Sequence, residues 1–129
     1  MEARTRAPGR APAAVVWERY AEPARWPGWA PQITGVEASA RRIAPGVTGR
    51  VRGPLGVRVA FTVTEVDPTA RTWAWEARIG PVRLRLRHGV EPDGATWLVV
   101  RGPAPVVLAY LPIARLALRS LTRRQAPIA

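Results

Sequence analysis

Two runs of strict alternation, joined by only two residues, constrain this chain more than any other feature. Trp73, Trp75, Ala77 and Ile79 share one parity while Thr72, Ala74, Glu76 and Arg78 share the other. After Gly80-Pro81, the residues Val82, Leu84, Leu86, His88 and Val90 alternate with Arg83, Arg85 and Arg87. Strand side chains point to opposite faces with a period of two, so each run reads as a half-buried antiparallel strand. If Gly80-Pro81 is a two-residue connection, Ile79 faces Val82, Trp75 faces Leu86 and Trp73 faces His88 on an inner apolar face. On the outer face the same register sets Glu76 against Arg85, which is favourable, and Arg78 against Arg83, which is not. A slip of one residue would invert every assignment, and the two alternations agree independently.

The neighbouring segments extend the pattern. Val57, Val59, Phe61 and Val63 alternate with Arg58, Ala60, Thr62 and Thr64, and Asp67-Pro68 turns that strand into the next. Pro92-Asp93-Gly94 turns the chain into a last strand over 95–101. Its facing depends on loop length: a three-residue loop after Glu91 sends Thr96, Leu98 and Val100 inward, a four-residue loop Trp97 and Val99. Residues 2–6 predict a short first strand, broken by Pro8-Gly9. Pro12 then opens a helix that runs to about Ala21, where Glu22-Pro23 stops it, because a residue before proline is pushed out of the helical region. A second short helix carries Trp26 toward Trp29, and the period changes to two from Ile33. A final helix is predicted from about Pro105 to Arg124, with Val107, Leu111, Ala114, Leu118 and Leu121 as its buried stripe and a kink at Pro112. These elements make an α+β protein, a curved antiparallel sheet wrapped around a long C-terminal helix, with two short helices after the first strand.

The corner between the short helices and the next strand is rich in tryptophan and proline: Trp17, Glu22-Pro23, Trp26-Pro27 and Trp29, followed by Ile33 and Val36-Glu37. With Trp73-x-Trp75, the run Arg87-His88-Gly89-Val90-Glu91-Pro92 and Gly102-Pro103, this pattern resembles the START-like (SRPBCC) superfamily, and within it the polyketide cyclase/dehydrase-like families. The resemblance spans nearly the whole chain and implies one helix-grip (START/Bet v 1-like) domain over 1–129. It also implies a cavity between sheet and helix for a hydrophobic small-molecule ligand or substrate. Some relatives cyclise or dehydrate polyketide chains there.

On that expectation the ligand-binding wall would include Trp26, Trp29, Phe61, Trp73, Trp75, Leu86, His88, Tyr110 and Leu111. His88 and Tyr110 are the candidates to move a proton if the protein is catalytic. His88 is the single histidine, the only side chain here that titrates near neutrality unperturbed. The alternative makes it a core histidine satisfied by a backbone group or a tyrosine hydroxyl. A base is usually oriented by a carboxylate, and Glu18, Glu22, Glu65, Glu76 and Glu91 fall mostly at element ends or outer faces, so no catalytic dyad is evident. The alternative is that the six tryptophans fill the space and leave no cavity, and their bulk in a chain this small favours a small pocket over a large lipid tunnel.

Composition narrows the remaining classes. A chain of 129 residues can bury one core, and without cysteine it has neither disulfides nor thiolate ligands. One histidine makes no conventional zinc site and no phosphate-binding glycine loop is present, so no metal or cofactor is expected. The net charge of +11 would suggest nucleic acid or an anionic surface. It comes from arginine alone, with no lysine, in a chain rich in alanine, proline and glycine, and this texture weakens both readings and argues against nucleic acid as the partner. A basic interaction module remains as a third reading, against the phosphates of an anionic membrane or a nucleic acid, through Arg50, Arg52, Arg58, Arg83, Arg85 and Arg87 on the sheet or Arg115, Arg119, Arg123 and Arg124 on the helix. No apolar run approaches the roughly 18 to 20 residues of a membrane span and no signal-type segment follows the first arginines, so a cytoplasmic location is expected. The chain carries no sign of an oligomeric state.

Overall fold

The computed structural model describes residues 1–124; residues 125–129, the end of the span read as one domain, lie outside them. In chain order the elements are β1 (Glu2–Ala7), α1 (Ala13–Ala21), a 3-10 turn (Pro23–Arg25), α2 (Trp26–Trp29), β2 (Gly35–Ala38), β3 (Thr48–Arg52), a second 3-10 turn (Pro54–Gly56), β4 (Arg58–Asp67), β5 (Thr72–Ile79), β6 (Val82–Val90), β7 (Thr96–Arg101) and α3 (Ala104–Leu121). The seven strands form one antiparallel sheet in the order β1-β7-β6-β5-β4-β3-β2. β2 to β7 are a meander, and β1 returns to close on β7.

The central hairpin adopts the expected register: Ile79 opposite Val82, Trp75 opposite Leu86 and Trp73 opposite His88. Gly80 occupies the left-handed region (φ 55°) that a two-residue hairpin turn favours. On the outer face Glu76 pairs with Arg85 at 3.5 Å, and Arg78 stands directly opposite Arg83. The last strand takes the three-residue-loop alternative. Thr96, Leu98 and Val100 are buried inside, and Trp97 lies on the outer face across Gly89, where an added Cβ would come within 2.2 Å of the indole. β4 is longer than its alternation suggests, because a bulge between Val63 and Glu65 inverts the parity and puts Val66 opposite Trp73.

The helices are shaped by their ends. The carbonyl of Pro12 accepts from the backbone N–H groups of Val15 and Val16, and Glu22, extended before Pro23, ends α1. α3 is unbroken across Pro112 and stops at Leu121 rather than Arg124. There the Arg19 guanidinium donates to the carbonyls of Leu121 and Arg123, placing a cation on the negative end of the helix. Val107, Ala114, Ala117, Leu118 and Leu121 are buried and Leu111 is half-buried. Against the expectation that no apolar run approaches a membrane span, α3 is long and apolar enough by length and composition to cross one. The arginines at 115 and 119 had hidden that. In the fold it packs along β1, β7 and α2.

Candidate functional site

The inner face of the sheet under α3 holds two different spaces. Toward the β5–β6 turn is a cavity of about 300 Å³, walled by Val51, Val59, Ala77, Val82 and Leu84 from the sheet and by Tyr110 and Ile113 from α3. Its lining is almost wholly apolar. Gln32, Tyr110 and the edge of Trp75 are the polar side chains it meets. Deeper in, among Trp26, Trp29, Trp73, Trp75, His88 and Tyr110, only about 30 Å³ is free, close to one water molecule's share of liquid volume.

Stacked rings fill the deep end. The Trp73 indole lies parallel to the His88 imidazole at 4.8 Å and to the Trp75 indole at 5.7 Å, while Trp26 packs on Trp73 at 5.6 Å and on Phe61 at 5.3 Å. Tyr20, from α1, meets Trp29 and Trp73 edge-on. The indole N–H groups of Trp26 and Trp29 donate to the backbone carbonyls of Tyr20 and Arg19, which pins the Trp/Pro corner to α1. Among the described residues, Trp73 Nε1 and Gln32 Oε1 are the buried side-chain atoms without a hydrogen-bond partner.

His88 is buried and both ring nitrogens are engaged. The Trp75 indole can only donate, and its N–H lies 3.0 Å from Nε2, so Nε2 carries the lone pair. Burial pushes the imidazole down to about 3, so it is neutral at ordinary pH, and its one proton sits on Nδ1, 3.2 Å from the Tyr20 hydroxyl oxygen. The Thr96 hydroxyl donates to the Gly89 carbonyl at 2.9 Å, so the Tyr20 hydroxyl donates to Thr96. Every bond in the series thus runs one way: Trp75 to His88 to Tyr20 to Thr96 to Gly89. Burial also raises the Tyr20 phenol, with the Thr96 bond opposing.

Among the described residues no carboxylate hydrogen-bonds to this centre. The five glutamates weighed as orienting partners all lie in ion pairs with arginines: Glu18 and Glu22 with Arg42, Glu65 with Arg87, Glu76 with Arg85 and Glu91 with Arg6. The Tyr110 phenol is pushed up to about 12 by burial, with the neighbouring Gln32 amide acting in the opposite sense. It is a proton donor, not a base, near neutrality.

Of the residues picked from sequence, Trp75, Leu86 and Tyr110 line the larger cavity. Trp26, Trp29, Trp73 and His88 surround the deep remnant, where Trp75 and Tyr110 also reach. Phe61 and Leu111 pack in the core and border neither space. Missed were Gln32, Val51, Val59, Ala77, Ile79, Val82, Leu84 and Ile113 on the cavity wall, and Tyr20 and Thr96 in the hydrogen-bonded series. Strand parity already placed Val59, Ala77, Ile79, Val82 and Leu84 on the inner face; favouring aromatic side chains passed over them.

A family described as polyketide cyclase / dehydrase and lipid transport matches residues 3–126. No curated protein matches the sequence. Among solved structures, the ginseng major latex-like protein 151 from Panax ginseng superposes with a TM-score of 0.76 at 13% identity, covering 95% of each chain. Ara h 8.0201 gives 0.75 at 14% identity, again with 95% of each chain covered. The di-domain ARO/CYC protein BexL from the BE-7585A biosynthetic pathway gives 0.74 at 22% identity over 95% of this chain; the chain spans 45% of that protein. At these identities the likeness is one of fold. Sheet, gripped helix and family match together place this chain in the polyketide cyclase/dehydrase and lipid-transport family of the START-like superfamily.

Proposed function

We propose that this protein binds a compact apolar small molecule in the cavity between β3–β6 and α3. The observation that carries this reading is the contrast in packing: a nearly polar-free space of about 300 Å³ sits beside an interior otherwise filled with rings. That volume is at the small end of the roughly 300–1,000 Å³ typical of ligand sites, which suits a short acyl chain or a small fused-ring system. Gln32 Oε1, buried without a partner, offers an acceptor to a ligand hydroxyl. Native mass spectrometry of the purified protein, followed by titration with naphthalene-type and medium-chain acyl probes, tests the reading. A retained or saturating ligand supports it; absence of saturation across both probe classes overturns it.

A second reading, a cyclase or dehydratase working in the same cavity, draws support from the family and from Tyr110 on the wall. Most of the acceleration would come from holding a reactive chain in one conformation, with Tyr110 donating a proton. His88 contributes less readily, since its lone pair is already taken by Trp75. On this reading Tyr110→Phe slows turnover by roughly a hundred- to ten-thousandfold, and an unchanged rate removes Tyr110 from the chemistry.

A further inference from the structure

Two loop tips meet at one end of the sheet. Because Ala60 pairs with Arg78, the start of β4 lies beside the end of β5, bringing the 53–57 loop next to the Gly80-Pro81 turn. Both tips expose apolar side chains. Leu55 is fully exposed, held at φ 61° in the left-handed region that disfavours a branched residue. Val57 is 45% exposed, Ile79 47% and, from α3, Ile113 40%. Val57, Ile79 and Ile113 also line the cavity, so the apolar rim is the cavity's mouth.

Behind each tip stands a pair of directly opposed arginines: Arg52 with Arg58 behind the first, Arg78 with Arg83 behind the second. All four are exposed, and among the described residues none lies within ion-pair distance of a carboxylate. The acids on the same face sit farther from the tips. Glu76 is engaged by Arg85, and Glu37 stands opposite Arg50. Like charges directly across a strand pair are destabilising, and an anionic partner would offset that cost. Apolar tips backed by unpaired cations match the two layers of an anionic bilayer surface, hydrocarbon at the boundary and phosphate above it. A nucleic acid would satisfy the arginines but give Leu55, Val57 and Ile79 nothing apolar to enter.

We infer that this end of the molecule docks on anionic lipid membranes, with Leu55, Val57, Ile79 and Ile113 entering the acyl boundary and Arg52, Arg58, Arg78 and Arg83 on the headgroup phosphates. The cavity then opens onto the bilayer. The test is co-sedimentation of the whole protein with vesicles of phosphatidylcholine alone or mixed with phosphatidylglycerol, over a salt series. Binding to the mixed vesicles only, weakened by salt, is expected. Leu55→Asp should weaken it about tenfold or more, and the Arg78→Ser/Arg83→Ser double variant about thirtyfold. Leu55 touches no core and aspartate tolerates a positive φ, so that variant keeps its fold, as circular dichroism would verify. No binding to the mixed vesicles, binding unchanged in Leu55→Asp, or equal displacement by a single-stranded oligonucleotide overturns the inference. The assay needs no cavity ligand, so its failure leaves the ligand reading standing, and failure of the probe titration leaves docking standing.

Discussion

The two ends of the β5–β6 hairpin share one register and one alternation, yet one end is packed solid and the other is hollow. At the deep end the inward positions hold Trp73, Trp75 and His88; toward the turn they hold Ala77, Leu84, Ile79 and Val82. The pairing of β5 with β6 does not shift between them. What changes is side-chain volume along the strands, and the cavity opens where rings give way to aliphatic groups that cannot reach α3. Patterning of apolar against polar positions sets the fold, and the size gradient within the apolar set decides where it is hollow.

That contrast can be broken or sharpened by experiment. The largest effect should come from Trp73→Ala, which removes the ring at the centre of the stacks. A loss of about 3–5 kcal/mol in urea unfolding is expected, and a loss below about 1 kcal/mol would mean the deep end is not close-packed. Next comes pH. The imidazole of His88 is held near 3 in the fold and titrates near 6.5 when unfolded, so below pH 6.5 the unfolded chain binds the extra proton. Stability is therefore full above that pH and falls by about 1.4 kcal/mol per unit as pH drops toward 3. Between pH 6.5 and 5, before most carboxylates titrate, the slope should be present in the wild type and absent in His88→Gln. A flat wild-type profile would contradict the buried neutral imidazole. At the hollow end, Val59→Trp should fill the cavity and weaken an apolar probe about tenfold or more with little loss of stability; unchanged affinity would place the ligand elsewhere. The smallest effect is expected from Arg78→Thr, which separates a like-charged cross-strand pair and should raise stability by about 0.2–1 kcal/mol, measurable as a shift in the urea midpoint.

The hairpin register, the Trp/Pro corner and the gripped helix were legible because each follows from a local rule: parity, proline sterics or helical spacing. The direction of Trp97 was not, since a single residue in the loop after Glu91 decides it. Nor was the bulge in β4, which lies where the alternation had already faded. The environment of His88 was half legible. A tyrosine hydroxyl was among the partners anticipated for a core histidine, but Tyr20 and Thr96 come from an early helix and the last strand, and no pattern along the chain joins them. A cavity under α3 was expected, but its place along the sheet was missed for a different reason: emptiness is a property of summed volumes, to which each of Val51, Val59 and Ala77 contributes only by being small.

Trp75 belongs to both ends. It is the one tryptophan on the wall of the larger cavity, and its ring nitrogen is tied to His88 at the deep end. The protein therefore carries its own optical gauge of occupancy: light emitted by that indole should change as the space beside it fills, while the other five rings, away from that wall, supply a steady background.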